Sequence, residues 1–280
     1  MSEPDPIRRF LKHTATRWGH SKYETLERCP KLFDLRYNHK VHGRTTPRAA
    51  SLGTVIHRGL AAVYWRRMRP QREAEVTPDL WRRVIAAGYE DEFIKLEATR
   101  LVSAHEQFWA DKDEGFDKVV AVEKLVETEI NGVPYSTRMD LVAKRRKLPI
   151  IYDHKSSSRM SDNTGTEFAM SGQLMGMVAV WPYKGKPVAR INLLVKTNTP
   201  QFSRIGLAFT ENQIARWKKD LKALWSDLTR YNAKGYFPRR YSACMGRYGP
   251  CEMFSLCHAG PGMAGEYFVP KGTNLEEALR

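Results

Sequence analysis

Apolar positions along the chain change period more than once, and each change marks a different kind of element. Ser21 and Glu24 stand in the capping-box arrangement, predicting a short helix that leads into Cys29-Pro30. In Gly53-Thr54-Val55-Ile56-His57, Thr54 reads as the cap of a helix that places His57, Leu60, Ala61 and Tyr64 on one inward face. Thr77-Pro78-Asp79 starts another, and the stretch to about residue 110 is mainly helical, with a break near Gly88. The period then falls to two. Val119 to Ile130, the turn Asn131-Gly132 and Val133 to Ala143 predict a hairpin; a charged turn at 144–147 leads to a third strand, Leu148 to Lys155. Residues 166–181 suit a helix that Pro182 ends, followed by strands at Ala189 to Lys196 and Phe202 to Phe209. Thr210 and Gln213 form a second capping box before a long helix with Ile214, Trp217, Leu221, Leu224, Leu228 and Tyr231 on one stripe, which Gly235 stops. The order predicts an α/β fold with a central mixed β-sheet flanked by helices. Three segments are expected: a helical region, 1–110, packed on the core; the α/β core, 111–235; and an irregular cysteine-bearing tail, 236–280.

Composition narrows the class. At 280 residues and 42% hydrophobic content the chain can bury a substantial core, which excludes extended disorder. No apolar run approaches a membrane span, and Met1 to Phe10 lacks a secretory pattern, so a soluble cytoplasmic protein without stable disulfides is expected. A net charge of +15 points to a polyanion, with nucleic acid the leading partner. The excess is spread over Arg66-Arg67 with Arg69, Arg82-Arg83, Lys144 to Lys147, Lys218-Lys219 and Arg239-Arg240. That distribution favours a folded basic surface, although any one cluster reads equally as a solvated face.

The apolar run Leu148 to Tyr152 turns polar at Asp153, a transition that marks a site at a strand end. With the preceding turn centred between Arg145 and Arg146, Asp140 stands opposite Ile151 and diagonal to Asp153, and Lys155 joins them on the same face. A one-residue slip would send Asp140 to the other side. Two such carboxylates can share a divalent cation while the ammonium orients or helps deprotonate an attacking water. By spacing alone, a solvated ion pair at a strand end explains the same residues better. His57 and Gln173 lie on helices either side of the strands; an inward His alone reads more readily as a hydrogen-bonded core residue than as a ligand, and Gln173 alone reads as a satisfied polar group beside a methionine-lined core. The four cysteines, Cys29, Cys244, Cys251 and Cys257, suit a 4Fe-4S cluster or tetrahedral Zn²⁺. Four independent buried thiols are a third account, which leaves their Pro-flanked clustering unexplained.

Taken in order, these segments resemble a known family. Tyr23 to Phe33, with Cys29-Pro30 and Phe33, resembles the N-terminal signature of RecB-like PD-(D/E)XK exonucleases that carry an iron–sulfur cluster. Gly53 to His57 resembles the motif with a metal-binding His, Met139 to Val142 the first acidic motif, and Ile151 to Lys155 the second. Gln173 sits where the family places a glutamine, and Cys244, Cys251 and Cys257 downstream of Pro238 resemble its C-terminal cysteine cluster. The resemblance implies that His57, Asp140, Asp153 and the His154 carbonyl hold Mg²⁺ or Mn²⁺. It implies that Lys155 activates water, that Gln173 steadies the site, and that the four thiolates bind iron–sulfur in preference to zinc, stapling the N-terminal helix to the tail. Three departures stand out: Met177 where the family has Tyr, Thr137 where Gly is usual, and six residues between Cys244 and Cys251.

The activity so implied is a metal-dependent DNA exonuclease preferring single-stranded ends, in recombination or repair. Two alternatives stay open: an end-trimming nuclease in CRISPR spacer acquisition, working with recombination or adaptation proteins, and a non-catalytic iron–sulfur DNA-binding module.

Overall fold

The computed structural model describes residues 6–11, 16–44, 48–68, 77–110, 112–160, 163–182, 184–246 and 249–279. Met1 to Asp5 and Arg69, read above for targeting and charge, lie outside them. In chain order the elements begin with α1 (Pro6–Leu11), α2 (His20–Arg28), α3 (Pro30–Phe33), the two-residue strand β1 (His42–Gly43), α4 (Arg48–Met68), α5 (Leu80–Gly88) and α6 (Glu92–Ala110). Strands β2 (Lys118–Ile130), β3 (Val133–Arg145) and β4 (Leu148–Ser157) follow, then helices α7 (Thr164–Phe168) and α8 (Gly172–Ala179). After β5 (Val188–Val195), β6 (Gln201–Leu207) and α9 (Glu211–Lys234) comes a tail with short elements, including α10 (Phe254–Ala259). None of the described helices is long and apolar enough to cross a membrane.

Five strands form one sheet in the order β2-β3-β4-β5-β6, antiparallel at β3·β4 and β5·β6 but parallel at β4·β5. The expected mixed α/β sheet is therefore present. Its parallel step comes from the crossover through α7 and α8, as parallel neighbours need a long connection. The Asn131-Gly132 turn has both residues at positive φ (53° and 78°), the conformation that turn chemistry demands of a two-residue hairpin.

Three expectations are corrected. Helix α4 starts at Arg48, before the Thr54 cap, because the Thr54 hydroxyl donates to the Ala50 carbonyl within the helix and leaves no free first turn for it to cap. Gly19, not Ser21, precedes α2, and no side chain caps it. The single helix over 166–181 is two pieces, because Ser171 caps α8 by accepting from the Leu174 amide at 3.3 Å. The second capping box forms as expected: Gln213 Oε1 accepts from Thr210 N at 2.8 Å, and Thr210 Oγ1 accepts from Gln213 N at 3.2 Å.

The chain divides into two compact units. The first is drawn from residues 1–17, 47–128 and 136–214, the second from 18–46, 129–135 and 215–280. In the first, Val55, Ile56, Leu60 and Tyr64 of α4 are fully buried in one cluster with Trp81, Ile85, Leu101, Leu141 and Tyr152. In the second, Leu26, Phe33, Leu228 and Phe237 form one apolar cluster, and Leu32, Leu35, Met253 and Leu256 belong to another.

Beneath the sheet of the first unit, the Asn192 amide lies between two buried imidazoles. Its nitrogen is 3.0 Å from His154 Nδ1, and its oxygen is 3.4 Å from His105 Nε2. Burial, reinforced by Arg204 and His154, holds His105 well below the ordinary imidazole range. The folded state therefore keeps His105 neutral while the unfolded chain takes up a proton below about pH 6.5, so this residue's share of stability is lost as pH falls. Asp153 and Glu123, whose carboxyls are raised by burial, act in the opposite sense. The comparison that isolates His105 is with His105→Gln: its unfolding free energy should fall less steeply below pH 6, by about 1.4 kcal/mol per pH unit in urea titrations. Equal slopes in the two proteins would refute this.

Candidate active site

The candidate side chains come from four elements of the first unit. Between β3 and β4 the pairing runs Arg145↔Leu148 to Leu141↔Tyr152 and stops one step before Asp140 and Asp153. The turn is thus centred between Arg146 and Lys147, one residue later than the sequence predicts; Arg146 takes a left-handed φ of 54° to make it. The shift brings Asp140 level with Asp153 instead of Ile151 and keeps both on one face, since residues directly opposite in an antiparallel pair share a side. Where the ladder ends, Asp140 Oδ2 takes the place of a backbone acceptor, receiving the His154 amide at 2.8 Å. A strand residue's N–H and C=O leave the same edge, so the His154 carbonyl also points toward β3.

Asp153 and Lys155 are tied to α8. Gln173 donates from Nε2 to Asp153 Oδ1 at 3.0 Å and accepts at Oε1 from Lys155 Nζ at 2.9 Å. Lys155 Nζ also lies 2.8 Å from the buried Asp153 Oδ2 as an ion pair. From α4, His57 Nδ1 approaches Asp140 Oδ2 to 3.5 Å. The structure brings His57, Asp140, Asp153, Lys155 and Gln173 together.

The two carboxyls are driven apart. Burial lifts Asp153 to about 6 against the pull of Lys155, and the charge on Asp140 adds to the rise. Burial would lift Asp140 as well, but His57, His154, the His154 amide and Lys155 outweigh it and hold the group below the usual carboxylate range. Opposed shifts of neighbouring carboxyls are characteristic of functional sites. Two carboxylates and an imidazole fit a hard divalent cation in donor type. As they stand, no three His, Cys, Asp or Glu side chains among the described residues are close enough to chelate an ion.

Gln173→Leu should leave the fold intact and lower divalent-metal affinity or activity by about 10–100-fold, the usual cost of losing a residue that orients a ligand. Isothermal titration with Mn²⁺ beside a cleavage assay measures both. An unchanged pair of values would make Gln173 a bystander.

Two neighbours escaped the sequence reading. Arg138 sits two residues before Asp140 and so on the same face of β3, a period-two relation that could have found it. It pairs at 2.7 Å with Glu123 of β2, whose φ of 51° is left-handed within a strand. No residue pattern announces that conformation. Burial first and Asp140 second raise the Glu123 carboxyl to about 7. Of the named departures, Met177 is fully buried and Thr137 nearly so, which explains an apolar and a small residue there.

The cysteines all lie in the second unit. Each is a partly buried free thiol, and Cys29, Cys251 and Cys257 pack against one apolar cluster, while Cys251 N donates to the Cys244 carbonyl at 2.8 Å. Burial raises the Cys257 thiol, and Cys251 and Cys29 add to the rise. Several expected phosphate-binding groups are already paired: Arg66 with Glu106 at 2.6 Å, Arg67 with Glu114, and Arg145 with Asp113 at 2.7 Å. Lys144, Arg146, Lys147 and Lys219 are exposed.

Compared with known proteins, the sequence matches the family described as the PD-(D/E)XK nuclease superfamily over residues 17–258. No curated protein matches it. Among solved structures, it resembles a protein from Eubacterium rectale provisionally described as an exonuclease, with TM-score 0.54, 13% identity, and 85% of this chain and 88% of that one covered. That likeness concerns the fold. SSO0001 (TM-score 0.29, 16% identity, 59% and 74% covered) and VC1899 from Vibrio cholerae (0.23, 14%, 80% and 60%) are too distant in structure to carry an argument.

Proposed function

Because the chain belongs to the PD-(D/E)XK nuclease superfamily, we propose that Asp140, Asp153 and Lys155 are the active site of a metal-dependent DNA exonuclease acting on single-stranded ends. The observation that carries this reading is the closed arrangement of Lys155, Gln173 and Asp153 beside Asp140 at the end of the β3·β4 ladder. His57, Asp140 and Asp153, with the His154 carbonyl, would hold Mg²⁺ or Mn²⁺, which supplies charge for the phosphate and acidifies water. Lys155 presents its ammonium toward the space beside Asp153, its direction fixed by Gln173, and is the group to orient the attacking water and carry a proton at Nζ. The net charge of +15 and the exposed lysines favour a nucleic-acid strand as substrate.

We further propose that Cys29, Cys244, Cys251 and Cys257 hold a 4Fe-4S cluster that staples the second unit. Four partly buried free thiols in one unit, three of them against one apolar cluster, support it. Protein purified without oxygen should contain iron and acid-labile sulfide. The same preparation, incubated with end-labelled single- and double-stranded DNA, should release nucleotides from single-stranded ends only when Mn²⁺ or Mg²⁺ is present. Zinc in place of iron would overturn the cluster; metal-independent or absent cleavage would overturn the nuclease.

A further inference from the structure

Beside the candidate active site, within the first unit, a cavity of about 370 Å³ opens between α1, α4 and the β2–β3 edge. His57 belongs to both: it lines the cavity, and its Nδ1 is 3.5 Å from Asp140 Oδ2. The other polar groups on the wall are Arg9, Arg58, Arg138, Glu123 and Thr54. Glu123 is matched by Arg138 at 2.7 Å, which leaves the charge of Arg9 and Arg58 for an anion. Arg58 is anchored by its bond to the Gly88 carbonyl at 2.7 Å, and so presents a fixed cation. Arg9 is exposed and lies 5.7 Å over the Trp65 ring, against which Phe10 packs edge-on at 6.0 Å. The left-handed backbone of Glu123 lies within β2, and such a conformation in a non-glycine residue persists where the surroundings enforce it.

Guanidinium groups beside aromatic rings are the surface on which a phosphate and a base are held together. The volume suits one nucleotide, at the lower end of the ~300–1,000 Å³ range of small-molecule sites. A cavity that shares His57 with the carboxylates would receive the nucleotide next to the bond being cut. We propose that this cavity binds the terminal nucleotide of the DNA strand, its phosphate on Arg9 and Arg58 and its base along the Trp65 side. The proposal rests on the nuclease reading and adds to it a structural basis for starting at ends: the strand's last residue has a chamber of its own.

The test uses the full chain carrying Asp153→Asn, without divalent metal, titrated calorimetrically with thymidine 5′-monophosphate, thymidine and inorganic phosphate. The nucleotide should bind at least about tenfold more tightly than either fragment, and Arg9→Ala and Ala50→Trp should each weaken it about tenfold. Both substitutions are at exposed positions, Ala50 at the cavity's rim, so folding is preserved. The mononucleotide should also compete with a short single strand. No nucleotide binding in a protein whose wild type cleaves DNA would overturn the cavity and leave the nuclease standing. Nucleotide binding without competition would make this a separate nucleotide site and overturn the strand-end assignment. Binding unaffected by both rim variants would place the nucleotide elsewhere. Failure of the wild type to cleave any DNA, with nucleotide binding intact, would instead overturn the reading on which the proposal rests.

Discussion

Asp153→Ala and Lys155→Ala should each reduce DNA cleavage by about a thousandfold or more while the protein still folds and still binds DNA. On the proposed reading Asp153 would hold the metal, so its loss would remove charge stabilisation worth several kcal/mol, and each 1.36 kcal/mol is a factor of ten in rate. Retention of the fold follows from the surroundings. Asp153 is buried and its charge is disfavoured there, so a neutral residue relieves a cost even as it gives up the Gln173 bond. Lys155 is one-third exposed, and its removal opens no core cavity. Circular dichroism, a salt-dependent DNA-binding curve and an end-labelled digestion on the same three proteins measure the outcome. Residual cleavage within tenfold of wild type in either variant would remove that residue from the chemistry.

A second large effect is expected at Arg204, on β6. Its buried guanidinium lies 4.0 Å from the Trp109 ring centre and 5.2 Å from those of Phe116 and Tyr152. It donates to Tyr64 Oη at 3.0 Å and pairs with Glu114 at 3.5 Å. Arg204→Ala empties the aromatic pocket and leaves the mostly buried Glu114 carboxylate with Arg67 as its remaining cation. A buried acceptor left without its partner costs about 1–3 kcal/mol, and more when it is charged. Urea unfolding should show that loss. Arg204→Lys should recover only part of it, since an ammonium cannot lie flat between rings. Arg204→Ala combined with Glu114→Gln should lose less than the sum of the two single losses; a double mutant that loses that sum would show that the pair does not interact.

How much of this was legible depended on whether the deciding signal was local. The hairpin at Asn131-Gly132 was, because few residue pairs accept two left-handed positions in succession. The Thr210–Gln213 cap was, because both partners lie within one turn. The turn at 144–147 was misplaced by one residue: four basic side chains in a row carry no turn chemistry, and only the strand pairing selects Arg146 for the left-handed site. Thr54 misled for the opposite reason, since a hydroxyl suited to a cap is equally able to bond back to Ala50 inside a helix. Glu123 was invisible because its role comes from a strand irregularity and from Arg138, a partner on the neighbouring strand. The five candidate residues were named from the sequence on the strength of their order and resemblance; their spacing alone could not separate them from a surface ion pair, and the link through Gln173 is what a two-residue interval on one strand cannot reveal.

Asp140 has two jobs that an isosteric change can pull apart. Its Oδ2 closes the end of a strand ladder by accepting the His154 amide, and its charge faces His57. Asparagine keeps one acceptor oxygen at the same reach for the His154 amide, while it loses the charge and exchanges the other oxygen for an N–H donor. A geneticist screening this position for soluble but inert alleles would therefore find them at Asn, whereas alanine would unzip the end of the ladder and blur a chemical defect with an architectural one.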